Sequence, residues 1–244
     1  MDNDTSIGKL KILKRFLENK KTNELANCIE ELSGKAEVIG VGGNAEILAM
    51  PKGLFEGVCL KRLKDLTAFQ NNDFNNEFEI QVKANSADVV TPLSMLLVQD
   101  IKTKKKFIIM ERVRGFSLED VCKRRKTLPP GFNMEDFFSK LKKQIDNLHK
   151  AGVYHRDLRP GNVMVNEQLD PVIIDFGASA VVTSGEGGMS VYEDVVSMYN
   201  EEKGQYQMAH GYFKDDYEAV DDLRSQIKQF VTGYVRVDQF GQPY

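Results

Sequence analysis

Two short strings concentrate the groups able to do chemistry: His155-Arg156-Asp157-Leu158-Arg159-Pro160-Gly161-Asn162 and, directly after an apolar β-run, Asp175-Phe176-Gly177. On equal residue frequencies the pattern HRDLxxxN arises by chance roughly once in ten thousand chains of this length, so it is informative by itself. Asp-Phe-Gly alone is weak. Upstream, the missing side chains of Gly40-Val41-Gly42-Gly43-Asn44-Ala45-Glu46-Ile47 let backbone N–H groups approach an anion, with a structural turn as the alternative reading of that stretch in isolation. Val58-Cys59-Leu60-Lys61 then carries a lysine out of an apolar run. Phosphoryl transfer calls on residue types of this kind. Charge builds on phosphate oxygens, and a site must supply metal ions, a cation and backbone donors in fixed positions.

These residues need elements to position them. From Ala36 to Met110 the pattern is of short β-rich runs, AEVIGV, EILAM, EGVCLKRL and KFIIMERV, with one helical stretch near Asn75 to Ala84, which predicts a small sheet with one helix. Beyond Gly115 the signal becomes helical: Met134, Phe137, Phe138, Leu141, Ile145 and Leu148 recur at three- and four-residue intervals. NVMV and PVIID flank a turn and predict a hairpin. Near the end, DDLRSQIKQFVTG predicts a helix with Leu223, Ile227, Phe230 and Val231 on one face. Residues 1–34 read as one or two short amphipathic helices, with Ile7, Leu10, Leu13 and Leu17 on one stripe and Leu25, Ile29 and Leu32 on another.

Composition narrows the classes. The 244 residues, 41% of them hydrophobic, can build a sizeable core. A net charge of −3 supplies no overall basic field, so a nucleic-acid ligand is not favoured. No apolar stretch approaches a membrane span, and the N-terminus lacks an uninterrupted apolar signal core, which together predict a cytoplasmic protein. Cys28, Cys59 and Cys122 are isolated and odd in number, against a disulfide framework, and no CxxC or HxxxH spacing offers a metal site. The runs Lys104-Lys105-Lys106 and Lys123-Arg124-Arg125-Lys126 read most simply as solvated loops and a helix end, with an acidic partner as the alternative.

Taken together, the strings resemble the catalytic loop and metal-binding turn of the protein-kinase superfamily, over about residues 36 to 233. The resemblance implies an α+β, two-lobed fold: a small β-rich N-lobe over 35–113 and a shortened, mainly helical C-lobe over 114–244, preceded by the helical extension 1–34. It implies ATP and Mg²⁺ as cofactors and a protein substrate. Asp157 is then expected to orient the acceptor hydroxyl and accept its proton, Asn162 and Asp175 to hold magnesium, and His155 to be structural. Arg159 stands where serine/threonine kinases usually carry lysine and keeps a cation close to the transferring phosphate. Gly40, Gly42, Gly43, Ala45 and Ile47 match the glycine loop, with Ala45 in place of the pattern's third glycine. Lys61 matches the lysine that binds the α- and β-phosphates, and Glu77 the glutamate that pairs with it, with Glu79 as the competing choice. One turn beyond Glu77 the family usually places an aliphatic spine residue, and here stands Gln81, with Ile80 or Val82 as substitutes. Met110 would be the gatekeeper, and main-chain groups of Glu111 and Val113 would bond adenine.

Past Gly177 the pattern thins, with no Ala-Pro-Glu. Gly211-Tyr212-Phe213, Asp222-Leu223-Arg224-Ser225 and Thr232-Gly233 resemble the approach to the large central helix, with Asp222 bracing the catalytic-loop backbone. The chain stops at Tyr244, which implies a compact C-lobe similar to that of small bacterial kinases, effector kinases among them. The leading expectation is transfer of the γ-phosphoryl group of ATP to Ser or Thr hydroxyls of protein. The alternatives are a small-molecule kinase of the aminoglycoside or choline type, which usually lacks an equivalent of Arg156, and a pseudokinase binding module. The N-terminal stripe either covers the small lobe or meets a regulatory partner or a membrane surface.

Overall fold

The structure, a computed structural model, describes residues 34, 36–42, 45–50, 57–64, 70–99, 106–182, 193–200 and 205–232. The expectations for the helical extension fall on residues 1–33, and that for Gly43 on 43–44; both lie outside the described residues. The chain divides into two compact units, Met1–Ser86 with Thr91–Arg114, and Ala87–Val90 with Gly115–Tyr244.

The first unit is built on a five-stranded antiparallel sheet: β1 (Glu37–Val41), β2 (Ala45–Ala49), β3 (Val58–Leu63), β4 (Ser94–Gln99) and β5 (Lys106–Glu111), in the order β1-β2-β3-β5-β4. Strand alternation gives β3 two faces. Val58 and Leu60 pack with Leu48, Val98, Phe107 and Ile109 on one side, while Cys59 and Leu63 pack with Ala45, Ile108 and Met110 on the other. Helix α1 (Gln70–Ser86) covers the second side through Phe74 and Phe78. The sequence reading omits β4, because SMLLVQ is a continuous apolar run with no alternation to mark it as a strand. Lys106, expected in a solvated loop, instead opens β5 buried, its Nζ donating to Asn75 Oδ1 at 3.0 Å.

In the second unit, β6 (Gly115–Ser117), β8 (Val163–Asn166) and β9 (Pro171–Ile173) form a three-stranded antiparallel sheet, and β7 (Val153–Tyr154) pairs with β10 (Ala180–Val181). The hairpin expected of NVMV and PVIID is β8 and β9. Gly115 is required at its position: at φ 154°, a Cβ would stand 2.0 Å from the Val165 carbonyl oxygen. Short helix α2 (Leu118–Cys122) begins with a capping box between Ser117 and Asp120. Helix α3 (Met134–Lys150) starts where the Asn133 side chain accepts the Asp136 N–H.

The apolar stripe of α3 buries Phe137, Phe138, Leu141, Ile145 and Leu148, each worth about 2 kcal/mol relative to exposure. Gln144 lies on the same buried face; it accepts from Val90 N and donates to Pro171 O, which ties Ala87–Val90 into this unit. Two further strands, β11 (Glu193–Asn200) and β12 (Gln205–Tyr212), form an antiparallel hairpin the sequence reading does not anticipate. Helix α4 (Asp216–Thr232) follows. Ala219, Val220, Leu223 and Ile227 are buried, but Phe230 and Val231, expected on the same face, are 47% and 53% exposed. Periodicity gives the direction of an apolar stripe, not how far along it the packing extends. Among the described residues no helix is long and apolar enough to cross a membrane.

Candidate active site

In the first unit the sheet register lines up the predicted anion-binding parts. Gly40 pairs with Ile47, Ile47 with Lys61 and Lys61 with Ile108, so the glycine segment and the lysine share one row across neighbouring strands. The β1–β2 connection is closed by the Gly42 N–H bonding to Ala45 O at 2.9 Å, while Lys64 Nζ donates to Gly42 O at 2.7 Å. Ala45 is buried in the face under α1, which accounts for a methyl group at that position.

Lys61 projects to that same face of β3, and its ammonium meets the carboxylate of Glu77 in a buried ion pair. Glu79, two residues on, is exposed, because a step of about 200° on a helix turns it away from the sheet. Gln81 is itself buried at 3% exposure, and its Nε2 donates to Pro92 O at 2.8 Å. Ile80 is buried beside it, whereas Val82 is exposed and does not take the aliphatic place. The neighbouring Asn85 extends the stitching, donating to Thr91 O at 3.1 Å and accepting from Ser94 N at 3.4 Å. The helix bearing Glu77 is therefore held to residues 91–94 by directional amide bonds.

Along β5, Met110 is buried and Glu111 lies at the end of the strand. The Glu111 N–H bonds to Leu93 O at 3.0 Å, and its carbonyl accepts a long 3.5 Å contact from Cys59 Sγ. Burial pushes the Cys59 thiol up to about 12, so it stays protonated as a donor. Among the described residues nothing bonds to the main chain of Val113.

In the second unit the two motif strings are laced together by named bonds. His155 is fully buried; its Nε2 lies 3.2 Å from Ile174 O, and its ring meets Phe176 edge to face at 5.0 Å. Asp157 N–H approaches His155 Nδ1 at 3.4 Å, so a neutral ring protonated on Nε2 satisfies both contacts. Burial holds the His155 pKa below its ordinary value, against the carboxylates of Asp216, Asp175 and Asp157, which act to raise it. Arg156 donates from Nε to Ala178 O at 2.7 Å and stacks 4.0 Å over Phe213. Each motif string carries one strained residue: Arg156 and Asp175 both adopt left-handed conformations, φ 67° and 68°, at about 1–3 kcal/mol each.

Asp216, the first residue of α4, offsets part of that strain. Its buried carboxylate accepts the N–H groups of His155 and Arg156 at 2.8 Å each and meets His149 Nε2 at 2.9 Å. Asp222, expected to brace this backbone, is instead exposed and paired with Lys214. The six-residue offset, about 240° around the helix, places the two aspartates on different faces. An acidic residue in the first turn of a helix was the available signal, but the sequence reading starts the helix at Asp221 and misses it.

Asp157 is held through one oxygen. Asn162 Nδ2 donates to Asp157 Oδ2 and to its main-chain oxygen, both at 2.8 Å, and Arg159 Nε donates to the same Oδ2 at 3.2 Å. The Asp157 side chain is 41% exposed, and Oδ1 has no partner among the described residues. The turn Pro160–Asn162 places Asn162 just before β8, and its carbonyl accepts the Ile174 N–H at 3.0 Å, so the backbones at Asn162 and Asp175 are neighbours. Both side chains carry hard oxygen donors, and with the Asn162 amide nitrogen engaged its Oδ1 remains as acceptor. That donor set fits a magnesium ion.

Comparison with known proteins agrees with this geometry. The protein kinase domain family model matches residues 34–200, and the chain belongs to that family. A probable serine/threonine-protein kinase of Clostridium perfringens is 30% identical over 154 residues, 61% of this chain and 22% of the relative. Sperm motility kinase 2B of Mus musculus is 31% identical over 156 residues, 62% of this chain and 30% of the relative. The probable serine/threonine-protein kinase PknB of Bifidobacterium longum is 27% identical over 171 residues, 66% and 24% respectively. The chain thus spans less than a third of the length of these relatives.

Proposed function

We propose that this chain transfers the γ-phosphoryl group of ATP to Ser or Thr hydroxyls of protein. The observation that carries the reading is the Asp157 carboxylate, fixed through Oδ2 by Asn162 and Arg159 while Oδ1 stays open. A carboxylate so held can orient an acceptor hydroxyl and take its proton. In this reading Lys61, positioned by Glu77, binds the α- and β-phosphates, and the backbone at Gly40, Gly42, Gly43, Ala45 and Ile47 covers them. The Glu111 carbonyl and the Val113 N–H hold adenine beside Met110. Asn162 and Asp175 hold Mg²⁺, which when bound neutralises charge on the phosphate oxygens. Arg159 keeps a cation near the transferring group. Ser/Thr transfer is supported by the Clostridium and Bifidobacterium relatives, both named as probable serine/threonine-protein kinases, and by the Arg159-Pro160 sequence after Asp157.

The test is incubation of the purified chain with labelled Mg-ATP, alone and with a proteome extract, followed by phosphoamino-acid analysis. Label in phosphoserine or phosphothreonine is the expected result. Predominant phosphotyrosine overturns the specificity, label only in small molecules favours the small-molecule kinase, and no label with ATP still bound favours the pseudokinase.

A further inference from the structure

The surface at the end of α2 is a charged patch that lies beside the turn following Asp157, at Gly161. Asp157 Oδ2 accepts from Arg159 at 3.2 Å. A hydrogen bond from Lys123 holds the Glu119 carboxyl below its ordinary range, and the charges of Arg125 and Arg159 add to the effect. Glu119 meets Lys123 at 2.8 Å and Arg125 at 3.4 Å. Between Arg159 and Glu119 lies Gly161: a Cβ there would stand 3.1 Å from Arg159 Nη1 and 4.0 Å from Glu119 Cδ, so Gly161 itself puts no side chain between them.

The basic run is anchored. The N–H groups of Arg125 and Lys126 both bond to Asp120 O, at 2.8 and 3.0 Å, and Arg124 turns the chain at φ 54°. Asp120 itself is engaged by Ser117 in the capping box, and Glu119 by Lys123 and Arg125. Neither acidic group is left to attract a basic ligand. Arg124 and Lys126 are exposed and have no carboxylate partner among the described residues. Lys123, Arg124, Arg125, Lys126 and Arg159 thus outnumber the three carboxylates of Glu119, Asp120 and Asp157, and charges within a Debye length of about 8 Å act together on a ligand. An extended peptide advances about 3.3–3.6 Å per residue, so positions within about three of an acceptor at Asp157 stay close to its surroundings.

We infer that this patch selects protein acceptors whose Ser or Thr is flanked by acidic residues, an inference that rests on the protein-kinase reading above. The neutral flank gains nothing from Arg124 and Lys126, and a basic flank meets like charge.

The test uses the full chain and three synthetic peptides that share one acceptor and differ only in flanks of Asp/Glu, Ala or Lys/Arg. The acidic peptide is expected to show a kcat/KM at least about tenfold above the neutral one, through KM, with the advantage shrinking as salt rises from about 50 to 300 mM. The doubly reversed variant Arg124→Glu, Lys126→Glu removes that advantage and leaves the neutral peptide within about twofold of the parent, since both side chains lie outside the catalytic groups. If circular dichroism shows that this variant unfolds, Arg124→Gln, Lys126→Gln replaces it and is expected to remove most of the advantage. Equal or better transfer to the neutral or basic peptide, or an advantage that survives either variant, overturns this inference while the kinase reading stands. Transfer to none of the three while proteome proteins are labelled also overturns this inference alone; no transfer to any protein or peptide removes both.

Discussion

Asp216 and His155, sixty-one positions apart, meet through a 2.8 Å bond from the His155 N–H to Asp216 Oδ2, while Oδ1 of the same carboxylate takes the N–H of Arg156. One buried side chain thereby fixes two successive peptides of the turn that leads to Asp157, the second in a left-handed conformation. Asp216→Asn would set an amide against a backbone donor and weaken the contact with His149. The expected loss is about 2–4 kcal/mol of stability, read from urea denaturation. Asp222→Asn, at an exposed pair with Lys214, should leave the urea midpoint unchanged. Equal effects at the two aspartates would contradict the assignment.

Gln81 ties the Glu77 helix to Pro92 by a buried bond. Gln81→Leu fills the space but leaves the Pro92 carbonyl without its donor, at about 1–3 kcal/mol. Because Glu77 rides on the same helix as Gln81, ATP affinity and turnover should both fall. A variant with parental stability and kinetics would show that the bond positions nothing.

Asp157 and Asp175 should separate by role. Asp175→Asn removes charge from a hard-cation donor and is expected to weaken Mg-dependent ATP binding as well as turnover. Asp157→Asn should keep ATP affinity within a few-fold while lowering kcat by roughly a hundred-fold or more, the scale of positioned acid-base groups. Nucleotide titration with and without Mg²⁺, alongside single-turnover transfer, distinguishes them. Loss of Mg-ATP binding in Asp157→Asn with binding intact in Asp175→Asn would reverse the two assignments.

His155 makes stability depend on pH. Its pKa is depressed by burial from the ordinary 6.5, so below that value the unfolded chain takes up a proton that the native chain refuses. The contribution is complete above about pH 6.5 and is lost as pH falls toward the depressed native value, with a slope of up to about 1.4 kcal/mol per pH unit. Urea denaturation from pH 7.5 downward should show this fall, and His155→Phe, though less stable, should show a shallower one. An identical slope in both proteins would place the proton elsewhere.

Much of the chemistry was legible from local order. The spacing of His155, Asp157, Asn162 and Asp175, the lysine closing an apolar run at Lys61, and the three- and four-residue stripe of α3 are properties of neighbours in sequence, because helical and strand periods are set by the backbone. The resemblance already favoured Glu77, but setting Glu79 aside needed the packed helix, since burial against β3 says which glutamate meets Lys61. The Gln81–Pro92 bond needed it too, because an amide reads as a flaw in an apolar place until its partner is known. Along the chain, the resemblance points to Asp222 as the brace of the turn at His155 and Arg156. Only the tertiary structure decided for Asp216, by turning one helical face toward His155 and the other, six residues on, to solvent.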